Sequence, residues 1–110
     1  MTQPDVTVAR GSLEEQTDCD EAVRLSRPLA KSIREAVLAA DARDVVRLAL
    51  ELPERKLAGE PIDQAVRVAV RTALDLRPCL KKLREIRFVV GSGELLRLVA
   101  NAFYIFRAVD

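Results

Sequence analysis

Residues 86–93, Ile-Arg-Phe-Val-Val-Gly-Ser-Gly, decide the fold because they combine an apolar strand with an abrupt turn. β-Branched and aromatic residues favour a strand at 86–90, and the Gly-Ser-Gly that follows ends it. A helical pattern lies on each side. Residues 62–76 place apolar side chains at helical spacing, and residues 94–106 are apolar on almost every face. Strands that alternate with helices predict βαβ units around a mainly parallel sheet.

The same alternation extends toward the N-terminus. Pro28 suits the first position of a helix, and apolar residues recur at helical spacing from there to Ala40. Residues 41–44 break this helix. Residues 45–50 then form a compact apolar run, which is too short for periodicity to distinguish a strand from a helix.

The first part of the chain is less regular. Residues 5–9 predict a short strand, and the polar residues 12–22 predict a loop or a frayed first helical turn. We therefore expect a single α/β domain over residues 1–110, partly irregular over 1–22. Its predicted architecture is a minimal three-layer βαβαβα fold with about three strands and three helices.

The composition argues against several classes of partner. The 18 basic and 17 acidic residues give a net charge of +1, which offers no electrostatic basis for binding nucleic acid or a membrane surface. No apolar run approaches the roughly 20 residues that cross a bilayer. The first residues also lack the basic patch and apolar run of a signal peptide. An intracellular, cytoplasmic location is the resulting expectation.

Residue types that carry catalysis or bind metals are scarce. The chain has no histidine, which removes the commonest general base. Its two cysteines, Cys19 and Cys79, are too few for a zinc site. We expect no catalytic residue, no metal and no cofactor. An acidic, solvated loop is the expected role of four carboxylates: Glu14, Glu15, Asp18 and Asp20.

Three short motifs follow one another in the second half of the chain. Residues 39–41, Ala-Ala-Asp, end a helix and lead to Leu-Ala-Leu at 48–50. Residues 59–61, Gly-Glu-Pro, precede the helical pattern, and Phe-Val-Val-Gly at 88–91 forms the last strand. In this order and spacing, residues 28–103 resemble the C-terminal half of a macro domain, a family that binds ADP-ribose.

The resemblance implies that this ligand chemistry has been lost. In the family, a glycine-rich loop lets backbone N–H groups approach the diphosphate. This chain carries Glu-Arg-Lys at 54–56 instead, so side chains occupy the space of the phosphates. Gly91 replaces the aromatic residue that stacks on adenine. We do not expect ADP-ribose binding, and the remnant of the ligand loop comprises Glu54, Arg55, Lys56, Gly59, Pro61 and Gly91.

The resemblance covers only half of the family's fold. In that fold, a strand of the missing first half separates the strands that match residues 6–8 and 45–50. Such a gap would leave unpaired backbone groups unless the chain closes up into a three-stranded sheet or borrows a strand from another chain. Three strands and three helices can form a minimal domain, but the exposed edges of its sheet invite association. We therefore predict a homo-oligomer or a heteromeric complex that uses the sheet edge and the last helix. The interface candidates on that helix are Leu95, Leu98, Val99, Phe103 and Phe106.

Three functions are compatible with these patterns. The first is a non-catalytic protein-interaction or structural module derived from a macro domain. The second is an ADP-ribose reader or hydrolase completed by a second chain. The third is an all-helical adaptor domain, which requires residues 43–52 and 86–90 to be helical.

Overall fold

The structure is a computed structural model that describes residues 3–25, 30–53 and 61–107. Strands and helices alternate along most of it. The elements are β1 (Asp5–Arg10), β2 (Glu21–Arg24), α1 (Ala30–Ala42), β3 (Arg47–Glu51), α2 (Ile62–Leu76), β4 (Glu85–Val90) and α3 (Gly93–Arg107). Two short 3-10 turns, at Leu13–Glu15 and Arg77–Cys79, complete the described part of the chain.

The described strands form one parallel sheet in the order β1-β4-β3-β2. From β2 the chain moves to β3 and then to β4, one neighbour at a time and in the same direction. Parallel crossovers are right-handed, so two steps in one direction place α1 and α2 on the same face of the sheet. The helix α3 follows β4 and packs against α2, β1 and β4. The helices therefore form one layer with α2 in the middle.

The hydrophobic core lies between the sheet and this helix layer. Side chains alternate across a strand, so every second residue of β3 and β4 reaches the helices. Leu48, Leu50, Ile86 and Phe88 are the bulky members of this set, and each is fully buried. Each such side chain stabilises the fold by about 1.5–3 kcal/mol through burial.

A third layer covers the opposite face of the sheet. Because β1 and β2 lie at opposite edges, residues 11–20 must cross the sheet to connect them. The connection begins at Gly11, whose φ of 146° is accessible to glycine but strained for other residues. Its 3-10 turn contacts β2 and β3. We call residues 11–20 the crossing segment.

The α/β class predicted from the sequence is confirmed, and the helix at 62–76 has the predicted bounds. The run at 45–50 is part of the strand β3, and 86–90 is part of β4. The all-helical adaptor fold is therefore wrong. The loop predicted at 12–22 is also wrong in part, because it contains the start of β2. This strand is short and at the sheet edge, and no apolar run marks it.

Of the two outcomes expected for the gap in the sheet, closure within the chain is the one observed, with four described strands rather than three. The strand that contains residues 6–8 does not face a missing neighbour, because β4 of the same chain lies between β1 and β3. Pairing is continuous across all described strands, so the described sheet needs no strand from another chain to fill its interior. The start of the first predicted helix at Pro28 lies outside the described residues. In the described part of the chain, no helix is both long and apolar enough to cross a bilayer.

Candidate functional site

Arg87 is the centre of the polar side chains on the second face of the sheet. It lies on that face because it alternates with the core residues Ile86 and Phe88. Its Nη1 and Nη2 donate to the two carboxylate oxygens of Asp18 at 2.8 and 2.9 Å. Its Nε donates to Glu85 at 2.7 Å, and Nη1 also donates to Gln16 at 2.8 Å. Only 16% of the Arg87 side chain is exposed, and four of its five N–H donors take part in these hydrogen bonds.

Neighbouring strands extend these contacts. The Thr7 hydroxyl on β1 donates to Glu85 Oε2 at 2.9 Å. Arg47 on β3 has nitrogens 3.7 Å from Asp18 and 3.8 Å from Glu85. The result joins three strands to the crossing segment. We call it the Arg87 network, and its members are Thr7, Gln16, Asp18, Arg47, Glu85 and Arg87.

The electrostatics of the network are those of a structural cluster. The hydrogen bonds from Arg87 hold the pKa of Asp18 at about 2, below its ordinary value of 3.8. The bonds to Asp18 and Glu85 raise the pKa of Arg87. A general acid or base works best when its pKa lies near the operating pH, and both of these groups have been moved away from it. The charged members are two arginines and two carboxylates, which neutralise one another.

Cys19 lies next to Asp18 in the crossing segment and is half-buried. Burial raises the pKa of its thiol, and the opposing charges of Arg87 and Asp18 largely offset each other. A lowered pKa activates a thiol as a nucleophile, and the environment of Cys19 gives no such activation. The second cysteine, Cys79, is exposed on the turn after α2.

The other carboxylates of the predicted acidic loop also have structural partners. Asp20 Oδ2 accepts hydrogen bonds from the backbone N–H groups of Val46 and Arg47, at 2.9 and 3.1 Å. Glu15 accepts from the backbone and hydroxyl of Ser12 and closes a capping box around the 3-10 turn. Glu14 lies 3.5 Å from Arg24. The loop was expected to be merely solvated, whereas Asp20 and Glu14 attach the crossing segment to β3 and β2, and Glu15 closes a turn within it.

Asp41, which the sequence analysis named only as part of a helix end, has an organising role in the structure. Its Oδ1 accepts hydrogen bonds from the backbone N–H groups of Lys81, Lys82 and Leu83, at 3.1, 2.7 and 3.0 Å. Burial raises the pKa of Asp41, but these three donors outweigh it and the net shift is downward. The carboxylate thereby joins the end of α1 to the turn that leads into β4. No local sequence signal reveals partners 40 residues away.

The predicted remnant of the ligand loop is only partly described. Glu54, Arg55, Lys56 and Gly59 lie outside the described residues. Pro61 is exposed and has an extended backbone at the N-terminal end of α2. Gly91 is exposed directly after β4. In chain order, Pro61 comes after the carboxyl end of β3 and Gly91 after that of β4. The Arg87 network lies elsewhere, on the second face of the sheet.

The predicted interface residues of α3 have different environments. Leu95 and Val99 are buried in the chain's own core, at 3% and 0% exposure, so they offer no surface to a partner. Leu98, Phe103 and Phe106 are half-buried and pack at the margin of that core. The most exposed aromatic side chain of the described residues is Tyr104 at 76%, which the sequence analysis did not single out.

Comparison with models of protein families and with curated proteins finds no match to this chain. Residues 3–25, 30–53 and 61–107 also contain no group of three histidine, cysteine, aspartate or glutamate side chains arranged to hold a metal ion. The function must therefore be argued from the contacts of the side chains themselves.

The Arg87 network predicts a specific loss of stability in acid. The folded-state pKa of Asp18 is lowered to about 2, so its contribution is fully present above its ordinary value of 3.8 and is lost as the pH falls from there through about 2. We expect Asp18→Asn to flatten the pH dependence of the unfolding free energy in this window. Urea titrations at a series of pH values would measure it. Asp63→Asn, at an exposed position on α2, is the control for the loss of one negative charge. If the pH dependence of the unfolding free energy has the same slope in Asp18→Asn as in the parent protein, the prediction is wrong.

Proposed function

We propose that this chain is a non-catalytic protein-interaction or structural module, derived from a macro domain and without a competent ADP-ribose site. The observation that carries the proposal is the composition of α3 outside the core. Tyr104 is 76% exposed on this helix, and Leu98, Phe103 and Phe106 of the same helix are half-buried. An exposed aromatic residue and partly exposed apolar residues on one helix are features of protein interfaces. We call these four residues the α3 flank.

The environments of the ionisable groups support the non-catalytic part of the proposal. Asp18 and Asp20 accept hydrogen bonds that join the crossing segment to the sheet. The lowered pKa of Asp18 keeps it a permanent anion, and the raised pKa of Cys19 keeps it a thiol. These groups therefore act as structural anchors.

The order of elements supports the proposed ancestry. From β3 onward the chain runs strand, helix, strand, helix, as the macro-like motifs at 48–50, 59–61 and 88–91 imply. The aromatic residue expected after the last strand is replaced by Gly91, which is exposed and has no ring to stack on a base. Both features agree with descent from a macro domain whose ADP-ribose site has been lost.

Self-association is the first form of interaction to test. We expect the protein to form a homo-oligomer at micromolar concentration and Tyr104→Glu to weaken it at least about tenfold, because an interfacial aromatic residue is replaced by a charge that must be desolvated. Sedimentation velocity over a range of concentrations would measure the dissociation constant. The matched control is Leu38→Glu, which places the same charge at a 41% exposed apolar position on α1, with α2 between it and the α3 flank. A monomer at every concentration would rule out self-association, and equal effects of both variants would exclude the α3 flank.

The alternative function, an ADP-ribose reader or hydrolase completed by a second chain, makes a different prediction. Titration calorimetry of this chain with ADP-ribose should give no heat of binding if the proposed module is correct. Saturable heat would favour the alternative, because it would mean that the chain retains a phosphate-binding surface.

A further inference from the structure

A cavity of about 490 Å³ lies outside the Arg87 network, near the end of α2 and the end of α3. Small-molecule sites usually have volumes of about 300–1,000 Å³, so it is large enough for a small ligand. Its apolar wall consists of Leu74, Pro78, Ile105 and Phe106. Leu74 is 8% exposed and belongs to the core, so this wall is continuous with the packed interior.

Two arginines give the cavity a positive charge. Arg71 lies with its guanidinium carbon 5.7 Å from the centre of the Phe106 ring, in a cation–π geometry. Its Nε is 3.7 Å from the Asp75 carboxylate, which offsets its charge. No carboxylate of the described residues forms an ion pair with Arg77. The lining therefore carries one excess positive charge, next to apolar side chains.

The guanidinium of Arg77 is positioned but not fully used. Its Nε donates to the backbone carbonyl of Leu74 at 3.2 Å, in the last turn of α2, which restrains the side chain beside the cavity. Within the described ranges, no side chain or backbone oxygen accepts a hydrogen bond from its two terminal nitrogens. Arg77 is half-buried, and its free N–H donors lie beside an apolar wall. The donors suit a carboxylate, and the wall suits a hydrocarbon tail attached to it.

We propose that this cavity binds a small amphipathic carboxylate, with its tail against Leu74, Ile105 and Phe106 and its carboxylate on Arg77. The tail gains burial against the apolar wall, and the carboxylate supplies the acceptors that Arg77 lacks. This site is separate from the Arg87 network and shares Phe106 with the α3 flank. It goes beyond the proposed function, which concerns protein contacts alone.

The test compares octanoate with octanol, its uncharged counterpart, on the full chain. Octanoate is expected to produce saturable shifts of the backbone amide signals of Leu74, Arg77 and Phe106 in NMR titrations. Octanol should bind about tenfold more weakly, since it forms no charge-assisted hydrogen bond with the guanidinium. Equal affinities for the two compounds, or shifts confined to other parts of the chain, would overturn the proposal.

A pair of variants tests the assigned residue. Arg77→Gln should lower the octanoate affinity about tenfold and leave the octanol affinity unchanged. Arg67→Gln removes the same charge from an exposed position on α2 that does not line the cavity, and should behave as the parent protein. An octanoate affinity that is equal in the two variants would refute the role of Arg77. Thermal unfolding of each variant checks that it is folded, and the comparison of octanoate with octanol on the parent protein does not depend on either variant.

Discussion

Replacing Phe88 with alanine is expected to lower the free energy of unfolding by about 3–5 kcal/mol, the largest effect of any single change considered for this domain. Phe88 is fully buried, and it is the largest of the side chains at its level of burial. It lies on β4, between β1 and β3, and faces the helix layer. Truncation removes the transfer free energy of the ring and also leaves a cavity that the paired strands cannot close. Urea denaturation followed by far-UV circular dichroism would measure the loss.

The control for this prediction is Phe106→Ala. The same ring is removed there from a half-buried position at the margin of the core, where water can refill the space. We expect a clearly smaller loss than at Phe88. A small domain has only about 5–15 kcal/mol of net stability, so Phe88→Ala should leave a protein that is marginally folded. Equal losses at the two positions would mean that β4 is not the centre of the core.

The parts of the fold that the sequence predicted are those specified by local periodicity. The helix at 62–76 is amphipathic over its whole length, so a pattern read along the chain locates both of its ends. The strand at 86–90 is marked equally well by its β-branched and aromatic residues and by the glycines that follow. In contrast, β2 became a strand through pairing with β3, and its four residues, Glu-Ala-Val-Arg, carry little intrinsic signal.

The candidate site was less predictable because its contacts are long-range. The acidic residues near the N-terminus were identified, but their role depends on partners far along the chain, as Asp18 does on Arg87, 69 residues away. The environments of the α3 residues were only partly predictable for another reason. Its apolar composition was attributed in part to a partner, whereas β1, β4 and α2 of the same chain cover the side of the helix that holds Leu95 and Val99.

The second large effect is expected for Arg87→Leu, which should lower the free energy of unfolding by about 2–3 kcal/mol. The substitution removes all four hydrogen bonds that Arg87 donates and leaves the carboxylates of Asp18 and Glu85 facing each other with only Arg47 nearby. Glu85 is 18% exposed, so water compensates it only in part. Urea denaturation would again measure the loss.

The matched control is Arg24→Leu on the same face of the sheet. Arg24 bonds to Glu51 at 2.6 Å, but 65% of its side chain is exposed, so we expect a clearly smaller loss than for Arg87→Leu. The double variant Arg87→Leu with Glu85→Leu should recover part of the stability, because it also removes the unpaired carboxylate. If Arg87→Leu costs no more than Arg24→Leu, the Arg87 network does not hold the third layer in place.

Labelling of the two cysteines reports on the attachment of the crossing segment separately from the stability of the whole domain. Cys19 lies in the crossing segment and is half-buried, whereas Cys79 is exposed on the turn after α2. Arg87→Leu should release the crossing segment from the sheet and therefore speed the modification of Cys19 by a thiol reagent under native conditions. The rate at Cys79 should not change, because its turn makes no contact with the network. Faster labelling at Cys19 alone would show that Arg87 attaches a separable layer, whereas equal acceleration at both thiols would indicate general destabilisation and contradict this role.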